Sequence, residues 1–295
     1  MKDFRDFSSP GLESFKTLVG YKDVLAHLDG TEEDEIRLRY AEAIAAIFGA
    51  RLAGIFTNRL PDIASYGSPP GAMASMELEQ RLREDGEATH RRLADRFGQL
   101  SVANELRKIE ETPVELRRAV TTEARCADLF VASCPRGAGL GKWAPLIEEV
   151  LFDGGHGLIL LPEQFKSREA IDTVIIGWVN TREAARAIAE ALPLLRLATS
   201  TRIVCVEEPA ASPRRMMGPA DIAAHLDRQG VRVSFNGAFS AQRDAATIIL
   251  EEAHRFSADL IVTGGYGHSR LREWILGGVT RHLINQSDIP LLMAH

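Results

Sequence analysis

Two glycine clusters near the end of the chain have the residue types and the spacing to bind a phosphate group. Gly264 and Gly267 stand three positions apart, nine residues follow, and Gly277 then precedes Gly278. Glycine permits positive φ angles, and because it has no Cβ it lets an anion approach backbone N–H groups. The second cluster opens a predicted helix, whose first N–H groups and dipole favour an anion. The pattern therefore predicts a polyphosphate held between the two clusters.

The residues around these glycines allow two interpretations. His268, Arg270 and Arg272 lie between the clusters and can neutralise phosphate charge, although solvated loops commonly contain such residues. Thr280 can contact a phosphate or can cap its own helix. The glycines themselves can serve only to form tight turns. The ordered pattern after a predicted strand favours the phosphate interpretation.

Other catalytic and nucleotide-binding motifs are incomplete. The segment 136–143 resembles a Walker A loop but lacks its first glycine and its Ser or Thr. Gly265 and Gly267 do not complete a dinucleotide-binding G-x-G-x-x-G motif, because the last position is Arg270. The eight histidines form no H-E-x-x-H motif, and no G-x-S-x-G elbow is present. The sequence thus identifies no catalytic residue and no metal site.

An internal repeat indicates which elements position the glycine clusters. Residues 127–132 align with residues 258–263 at an offset of 131 positions, and this alignment continues towards the end of each half. Earlier in each half, residues 24–28 align with residues 174–178 at an offset of 150. The first half therefore contains about nineteen additional residues between these two aligned segments. The chain is predicted to be a duplication.

Each half alternates short apolar runs with longer segments of helical periodicity. Such alternation requires a parallel sheet with helices on both faces. We therefore predict an α/β fold of two tandem domains, each with a five-stranded, mostly parallel sheet flanked by helices. In the second half the predicted strands are 173–177, 203–206, 231–235, 260–263 and 290–293, and the predicted helices are 182–197, 220–228, 245–255 and 280–285.

Length and composition indicate a globular protein of two domains. The 295 residues exceed the usual size of one core, and we predict a lead-in at 1–20, a first domain at 21–165 and a second domain at 166–295. No apolar stretch approaches the roughly 20 residues that span a bilayer, and the N-terminus lacks the apolar region of a signal peptide. A net charge of −6 disfavours nucleic acid as a partner, and three scattered cysteines predict no disulfide framework. A cytoplasmic protein without a membrane partner is expected.

The glycine pattern resembles the nucleotide-binding signature of the universal stress protein family. That signature is Gly, two residues, Gly, nine residues, Gly, then Ser or Thr, and this chain matches its three glycines but has Gly278 in the last position. The resemblance covers roughly residues 22–162 and 171–295. It implies the family's adenine-nucleotide α-hydrolase-like fold and ATP, with or without Mg²⁺, as the ligand. The positions that it assigns to phosphate binding are Gly264, Gly267, Gly277, Gly278, Val279 and Thr280.

The resemblance also implies an aspartate at the end of the first strand that contacts the nucleoside. In the first half this position is Asp29, but in the second half it is Val179. Asn180 or Thr181 can supply a neighbouring hydrogen bond. Val206 matches a position that lines the base in the family. The expected nucleoside contacts of the second half are Trp178, Val179, Asn180, Thr181 and Val206, with core packing as the alternative role of Trp178 and Val206.

The first half lacks the glycine loop. Five first-half residues occupy the corresponding positions at the offset of 131, namely Ser133, Arg136, Leu146, Ile147 and Glu149. A phosphate there would meet side chains instead of bare backbone. The acidic run 32–35 adds repulsion, although such residues also satisfy a helix N-terminus. We expect one nucleotide site per chain, in the C-terminal half.

The resemblance further implies how the two halves associate. Members of the family usually pair the terminal strands of two domains edge to edge, and a tandem chain can make this pairing internally. The candidate edges are residues 157–161 and 290–293, which would otherwise remain exposed. We predict an intramolecular pseudo-dimer, with further homodimerisation as an open alternative.

Three functions are compatible with these residues. The first is a non-enzymatic ATP-binding module of stress response or signalling, in which the nucleotide stabilises one state by mass action. The second is an enzyme with slow ATP hydrolysis or autophosphorylation, for which the sequence shows no water-positioning residue. The third is an interaction scaffold without a nucleotide, which the missing aspartate of the second half and the missing loop of the first half favour.

Overall fold

A computed structural model describes the chain at residues 20–62, 69–137, 141–163, 165, 171–207, 219–240, 244–265 and 278–295. In the described residues each half contributes five strands. Those of the first half are β1 (Asp23–Leu28), β2 (Arg51–Arg59), β3 (Asn104–Glu111), β4 (Leu129–Ser133) and β5 (Gly157–Leu161). Those of the second half are β6 (Thr173–Trp178), β7 (Ser200–Glu207), β8 (Val233–Ser240), β9 (Leu260–Gly264) and β10 (Leu291–Ala294).

Helices connect most of these strands. Those of the first half are α1 (Glu33–Phe48), α2 (Pro69–Phe97), α3 (Pro113–Ala124) and α4 (Ala144–Asp153), the last preceded by a 3-10 turn at Gly141–Trp143. Those of the second half are α5 (Arg182–Leu197), α6 (Pro219–Arg228), α7 (Ala245–Arg255) and α8 (Gly278–Gln286). Within the described ranges, no helix combines the length and the apolar character that crossing a membrane requires.

The strands form one continuous ten-stranded sheet in the order β3-β2-β1-β4-β5-β10-β9-β6-β7-β8. The neighbouring strands within each half are parallel. The strand order of the second half mirrors that of the first, and the halves join where β5 and β10 pair antiparallel. This arrangement confirms the predicted α/β fold with a five-stranded parallel sheet in each half.

The seam between the halves combines apolar strand pairing with two polar contacts. Leu160 of β5 lies opposite Leu291 of β10, and both side chains are completely buried. Near one end of the seam, the Tyr21 hydroxyl donates to the Glu190 carbonyl oxygen across 2.7 Å, and the Gly157 N–H donates to the Glu190 carboxylate across 3.1 Å. The predicted pairing of the two terminal strands is confirmed, and it removes two apolar edges from solvent.

Helices cover both faces of the sheet, and two cores that continue through both halves result, beside a smaller cluster of the first half between β1, β2, α1 and α2. Val24 and Ala26 of β1 lie in the core that packs against α1, α5 and α6, whereas Leu25 lies in the core that packs against α3, α4, α7 and α8. This alternation follows from the period of two along a strand. Because both faces are covered, the central strands are apolar throughout, as expected of a parallel sheet. Each core contains residues of both halves.

The structure also locates the differences between the halves. The helix α2 has 29 residues and α6 has 10, so this pair accounts for the additional residues of the first half. The strand β8 begins at Val233 instead of the predicted residue 231, because pairing with β7 starts there, while Val231 is buried in the core. A register shift between Ile203 and Cys205 then lets β8 continue to Ser240.

Candidate functional site

The carboxyl ends of β6 and β9 meet at the edge where a ligand is expected in the second half. These strands are neighbours, with Gly177 beside Thr263. The strand order reverses between them, because the chain proceeds outward from β6 to β7 and later returns to β9 on the other side. Open α/β sheets bind ligands at such a switch point. The ends of β6 and β9 therefore bring residues 178–181 and 264–265 to one edge.

Gly264 is required by a close approach between β9 and α5. A Cβ at this position would lie 2.6 Å from the backbone nitrogen of Ala184 and 2.8 Å from the carbonyl carbon of Glu183. Both atoms belong to the backbone of α5, so a side chain at residue 264 could fit only if the helix moved. Gly264 therefore has a packing role in addition to any contact with a ligand.

The N-terminus of α5 is already satisfied by its own residues. Thr181 is the N-cap, and its hydroxyl oxygen accepts a hydrogen bond from the Ala184 N–H at 3.3 Å. Burial raises the pKa of Glu183 in the first turn, but a backbone hydrogen bond, Arg182 and the Thr181 hydroxyl together bring that pKa below its usual value. A charged carboxylate thus occupies the place where this helix dipole would favour an anion.

The predicted nucleoside contacts differ in their exposure. Val179 is 51% exposed, and Asn180 is exposed beside it. Trp178 is buried and packs in the core on the α5 face. Val206 lies in β7, and its side chain is outside the described part of the chain. In the described residues of this loop, Val179 and Asn180 are therefore the two that face solvent.

The first turn of α8 differs from that of α5 in its charge and in its exposure. α8 begins at Gly278, two residues before the predicted start, and Gly278 is exposed with no atom within 4 Å of a Cβ built on it. Its first turn contains no acidic residue. Val279 packs against the core, and Thr280 is buried. The predicted contacts Gly267 and Gly277 lie outside the described residues, as do the loop residues His268, Arg270 and Arg272.

Two basic residues that the sequence analysis did not identify lie beside the end of β9. The His295 Nδ1 is 3.0 Å from the Gly265 carbonyl oxygen, so this nitrogen carries a proton that it donates. The other ring nitrogen then accepts from Arg182, whose Nη2 is 3.3 Å away. The Arg182 side chain is 70% exposed. The strand order would have indicated His295, because Ala294 pairs with Gly264 in parallel register.

The equivalent edge of the first half is filled by its own polar side chains. The Asp29 carboxylate is completely buried and accepts from Arg37 at 2.5 Å, from Thr31 at 2.7 Å and from the Trp143 indole N–H at 2.6 Å. Burial by itself would raise the pKa of Asp29, but Arg37, the Thr31 hydroxyl and His27 hold it well below its usual range. This carboxylate is fully engaged within the protein.

His27 completes the same buried cluster. Its Nε2 lies 2.9 Å from the Thr57 hydroxyl, and its ring packs edge-on against Trp143 at 4.8 Å between centroids. Burial, assisted by Arg37 and Lys142 and opposed by Asp29, lowers the pKa of His27 to about 3. The imidazole is therefore neutral at physiological pH. A Trp ring occupies the space beside it.

The first-half counterparts of the glycine clusters are also occupied. Leu146 and Ile147, which stand where the second half has Gly277 and Gly278, are buried in the core on the α4 face. Bare backbone is thus not available at these positions. The difference between the halves is consistent with a single site in the C-terminal half.

A cavity of about 330 Å³ lies at the opposite edge of the sheet, and its polar groups have structural partners. Asp128 accepts from the N–H groups of Lys22 and Asp23 at 2.6 and 3.0 Å. Arg186 binds Glu190 at 2.6 Å across the lining. Two further groups of the lining bind across the halves, since Arg186 donates to the Gly155 carbonyl oxygen and the Tyr21 hydroxyl donates to that of Glu190, so we assign the cavity to the seam and not to the ligand site.

Comparison with known proteins supports a family for the second half. A model of the universal stress protein family matches residues 170–295. The stress response protein NhaX of Bacillus subtilis (strain 168) is 48% identical over 50 residues, which make up 17% of this chain and 30% of NhaX. The match therefore spans less than a third of that relative's length.

Solved structures resemble this fold across both halves. A universal stress protein from Archaeoglobus fulgidus DSM 4304 aligns with a TM-score of 0.69 and 16% identity, covering 92% of this chain and 95% of that chain. A protein of Pseudomonas aeruginosa UCBPP-PA14 that is described as a universal stress protein aligns with a TM-score of 0.58 and 13% identity, covering 92% of each chain. At these identities the likeness concerns the fold alone.

Proposed function

We propose that this chain, whose residues 170–295 belong to the universal stress protein family, is an ATP-binding protein of stress response or signalling. Its one nucleotide site lies in the C-terminal half, at the carboxyl ends of β6 and β9. The observation that carries the proposal is the start of α8. There Gly278 is exposed, the space at its Cβ position is open, and the described first turn of α8 contains no acidic residue of its own.

The residues near this edge fit the phosphate end of a nucleotide. Backbone N–H groups in the first turn of α8 lack intrahelical partners and favour an anion. Arg182 adds a positive charge at the end of β9; its side chain is largely exposed and lies 3.3 Å from the Glu183 carboxylate. Together with Gly267 and Gly277, which the sequence motif contributes, these groups make a site for a triphosphate with or without Mg²⁺.

At the position where the nucleoside part of the ligand is expected, the second half differs from the first half. Val179 replaces the aspartate and is half exposed, so it offers an apolar contact to a base or a ribose. Asn180 is the exposed polar neighbour that supplies hydrogen bonds, since the Thr181 hydroxyl is engaged in capping α5. Selection of adenine therefore depends on Asn180 and on the strand that contains Val206. Without a carboxylate, we expect binding of the nucleoside part to be weak.

Domain division and location are part of the same proposal. The chain consists of a lead-in at 1–20, a degenerate domain at 21–165 and a nucleotide-binding domain at 166–295 in the cytoplasm. The closed Asp29 cluster supports the view that only the second domain binds nucleotide. Homodimerisation of the whole chain would use surfaces other than β5 and β10, because these strands already pair with each other.

A second candidate is an interaction scaffold that binds no nucleotide. Val179 favours it, because a hydrophobic residue stands where a carboxylate would contact the nucleoside. The two candidates differ in one measurable property, the stabilisation of the folded state by adenine nucleotides.

A thermal-shift experiment with ATP, ADP, AMP and no ligand, with and without Mg²⁺, tests the proposal. We expect ATP to raise the melting temperature of the wild type and to have no effect on Gly267→Arg. Gly141→Arg is the matched control, since it places the same side chain in the first half at a position with open space. A wild type that no adenine nucleotide stabilises would exclude the ATP-binding function. A phosphate-release assay on the same samples tests for slow hydrolysis.

A further inference from the structure

We infer that the first half is a positioning element for the nucleotide site of the second half, acting through Arg136 and through the end of α4. This inference rests on the proposed function, because it assigns a role to first-half residues in the same site. Its structural basis is independent of any ligand. It consists of contacts that cross from the first half to the residues that precede and follow the segment 266–277.

The first contact is made by Arg136 on α8. Its Nη1 donates to the carbonyl oxygen of Asn285 across 3.0 Å. Asn285 lies in the last turn of α8, and the last carbonyl groups of a helix lack intrahelical partners. A cation there also complements the helix dipole. The last turn of α8 contains no basic residue of its own, so the first half supplies that cation.

Arg136 also corresponds to a residue of the glycine pattern in the second half. At the offset of 131, Arg136 stands where the second half has Gly267. The first half thus has, at the position of this glycine, a side chain that reaches α8. The same helix presents its N-terminus, at Gly278, to the proposed phosphate site. The C-terminal end of α8 thus contacts the first half, and its N-terminal end faces the proposed phosphate site.

The second contact is made by the end of α4 on the residues that follow β9. Leu151 of α4 packs directly against Gly265, since a Cβ on that glycine would lie 2.9 Å from the leucine Cδ2. Phe152 packs edge-on against the His295 ring, with 4.6 Å between centroids. His295 in turn donates to the Gly265 carbonyl oxygen. Gly265 is therefore held by α4 directly and through His295.

Both contacts act on groups that flank the proposed site. Gly265 fixes where the chain leaves β9, and Arg136 restrains α8, whose first N–H groups face the phosphate. A misplacement of such donors weakens anion binding, because the helix dipole effect falls off within one turn. Arg136 is accordingly a positioning residue that contacts no ligand.

Hydrogen exchange and nucleotide titration on matched variants of the full chain test the inference. Arg136→Ala removes the contact with α8, and Arg136→Lys keeps the charge. Arg92→Ala is the control, because Arg92 donates to the carbonyl oxygen of Gly30, the same kind of contact between α2 and the loop after β1 of the first half. Phe152→Ala, compared with Ile47→Ala at another exposed apolar position, tests the second contact.

Without nucleotide, we expect exchange in residues 278–286 to be about two- to fivefold faster in Arg136→Ala than in the wild type, with Arg136→Lys close to the wild type and Arg92→Ala unchanged. The dissociation constant for ATP should rise by a similar factor in Arg136→Ala and Phe152→Ala but not in the two controls. The melting temperatures without ligand should remain within error, because both side chains are partly exposed. If Arg136 and Phe152 had a purely structural role, their alanine variants would have lower melting temperatures than the wild type. Their dissociation constants for ATP would then equal those of the control variants.

The outcomes separate this inference from the function on which it rests. If the wild type binds no adenine nucleotide, the proposed function fails and the nucleotide part of the inference fails with it. If the wild type binds ATP, equal affinities in Arg136→Ala and Arg92→Ala overturn the inference alone. Unchanged exchange of α8 in Arg136→Ala overturns it in either case.

Discussion

Trp143 donates its indole N–H to the buried carboxylate of Asp29 across 2.6 Å, although the two residues are 114 positions apart in the chain. This hydrogen bond closes the crevice of the first half at the point where the second half keeps an exposed Val179. Among the residues that the structure describes, this position is thus a buried, hydrogen-bonded carboxylate in one half and a half-exposed valine in the other. This asymmetry supports the proposed location of the ligand site in the second half.

The Trp143 hydrogen bond should contribute measurably to stability. Trp143→Phe keeps an aromatic ring against His27 but removes the donor, so that one oxygen of a buried carboxylate loses a partner. We expect a decrease of about 1–3 kcal/mol in the free energy of unfolding, measured by urea denaturation. The ATP affinity should not change, because an aromatic ring is retained at the start of α4 and the end of that helix is not altered.

Tyr40→Phe is the matched control for that experiment. The Tyr40 hydroxyl is buried and has no hydrogen-bond partner among the described residues, so its removal should be neutral or stabilising. Equal losses of stability in the two variants would contradict the role assigned to the Trp143 donor.

The buried His27 should make stability depend on pH. Its pKa is about 3 in the folded state against 6.5 for an ordinary histidine, so between these values the unfolded chain binds more protons than the folded chain. Stability therefore falls as the pH is lowered through this window, by about 1.4 kcal/mol per pH unit once the unfolded imidazole is protonated. His27→Gln, which does not titrate, should show a smaller slope in denaturation experiments between pH 6 and pH 4. Parallel slopes in the two proteins would show that His27 is accessible to protons in the folded state.

Alanine substitutions at Gly264 and Gly278 should distinguish a glycine that is needed for packing from one that is needed for binding. Gly264→Ala places a methyl group against the backbone of α5 and should destabilise the fold by about 1–3 kcal/mol or more. Gly278→Ala has open space and should leave stability unchanged or raise it by up to about 1 kcal/mol, because alanine favours a helix. We nevertheless expect the second variant to bind ATP more weakly, since its methyl group lies beside the phosphate-binding amides.

Urea denaturation and ATP titration on both variants provide the measurements. If Gly278→Ala binds ATP as tightly as the wild type, the amides at the start of α8 do not bind the phosphates. If Gly264→Ala is as stable as the wild type, α5 can move away from β9 without lowering the free energy of unfolding.

Much of the second half could be predicted from the sequence because its signals are local. The helix at 182–197 has the predicted bounds, since an N-capping Thr181 and a regular apolar stripe define it. The helix at 245–255 likewise begins after Asp244, whose carboxylate accepts from the Thr247 N–H. The offsets of 131 and 150 also predicted that the two halves contain the same succession of strands, because buried parallel strands are short apolar runs.

The polar contacts could not be predicted in this way, because they join residues that are distant in sequence. Nothing near Asp29 indicates that its partner is Trp143, and nothing near Arg136 indicates α8. The start of α8 was predicted at Thr280 instead of Gly278, since the glycines before it give no capping signal. Such contacts depend on how the two halves pack, which the pairing of β5 with β10 determines.

The last prediction concerns that pairing. In the full chain β10 is protected by β5, and Leu291, Leu292 and Met293 are completely buried. A fragment of residues 166–295 would expose the hydrogen-bonding groups of β10 along an apolar edge, which readily pairs with another strand. Because β5 and β10 are equivalent strands of the duplicated halves, a second copy of β10 can replace β5. We expect the fragment to form antiparallel homodimers, measured by size-exclusion chromatography with light scattering across a range of protein concentrations.

The isolated first half provides the control for this experiment. When residues 21–165 are added to the fragment, the homodimer should convert into a heterodimer of the two halves, because the native seam also contains the Tyr21 and Gly157 hydrogen bonds to Glu190. A fragment that remains monomeric at every concentration would mean that β10 is protected by residues of its own half. The apolar seam would then be a consequence of the duplication and not the interaction that holds the two halves together.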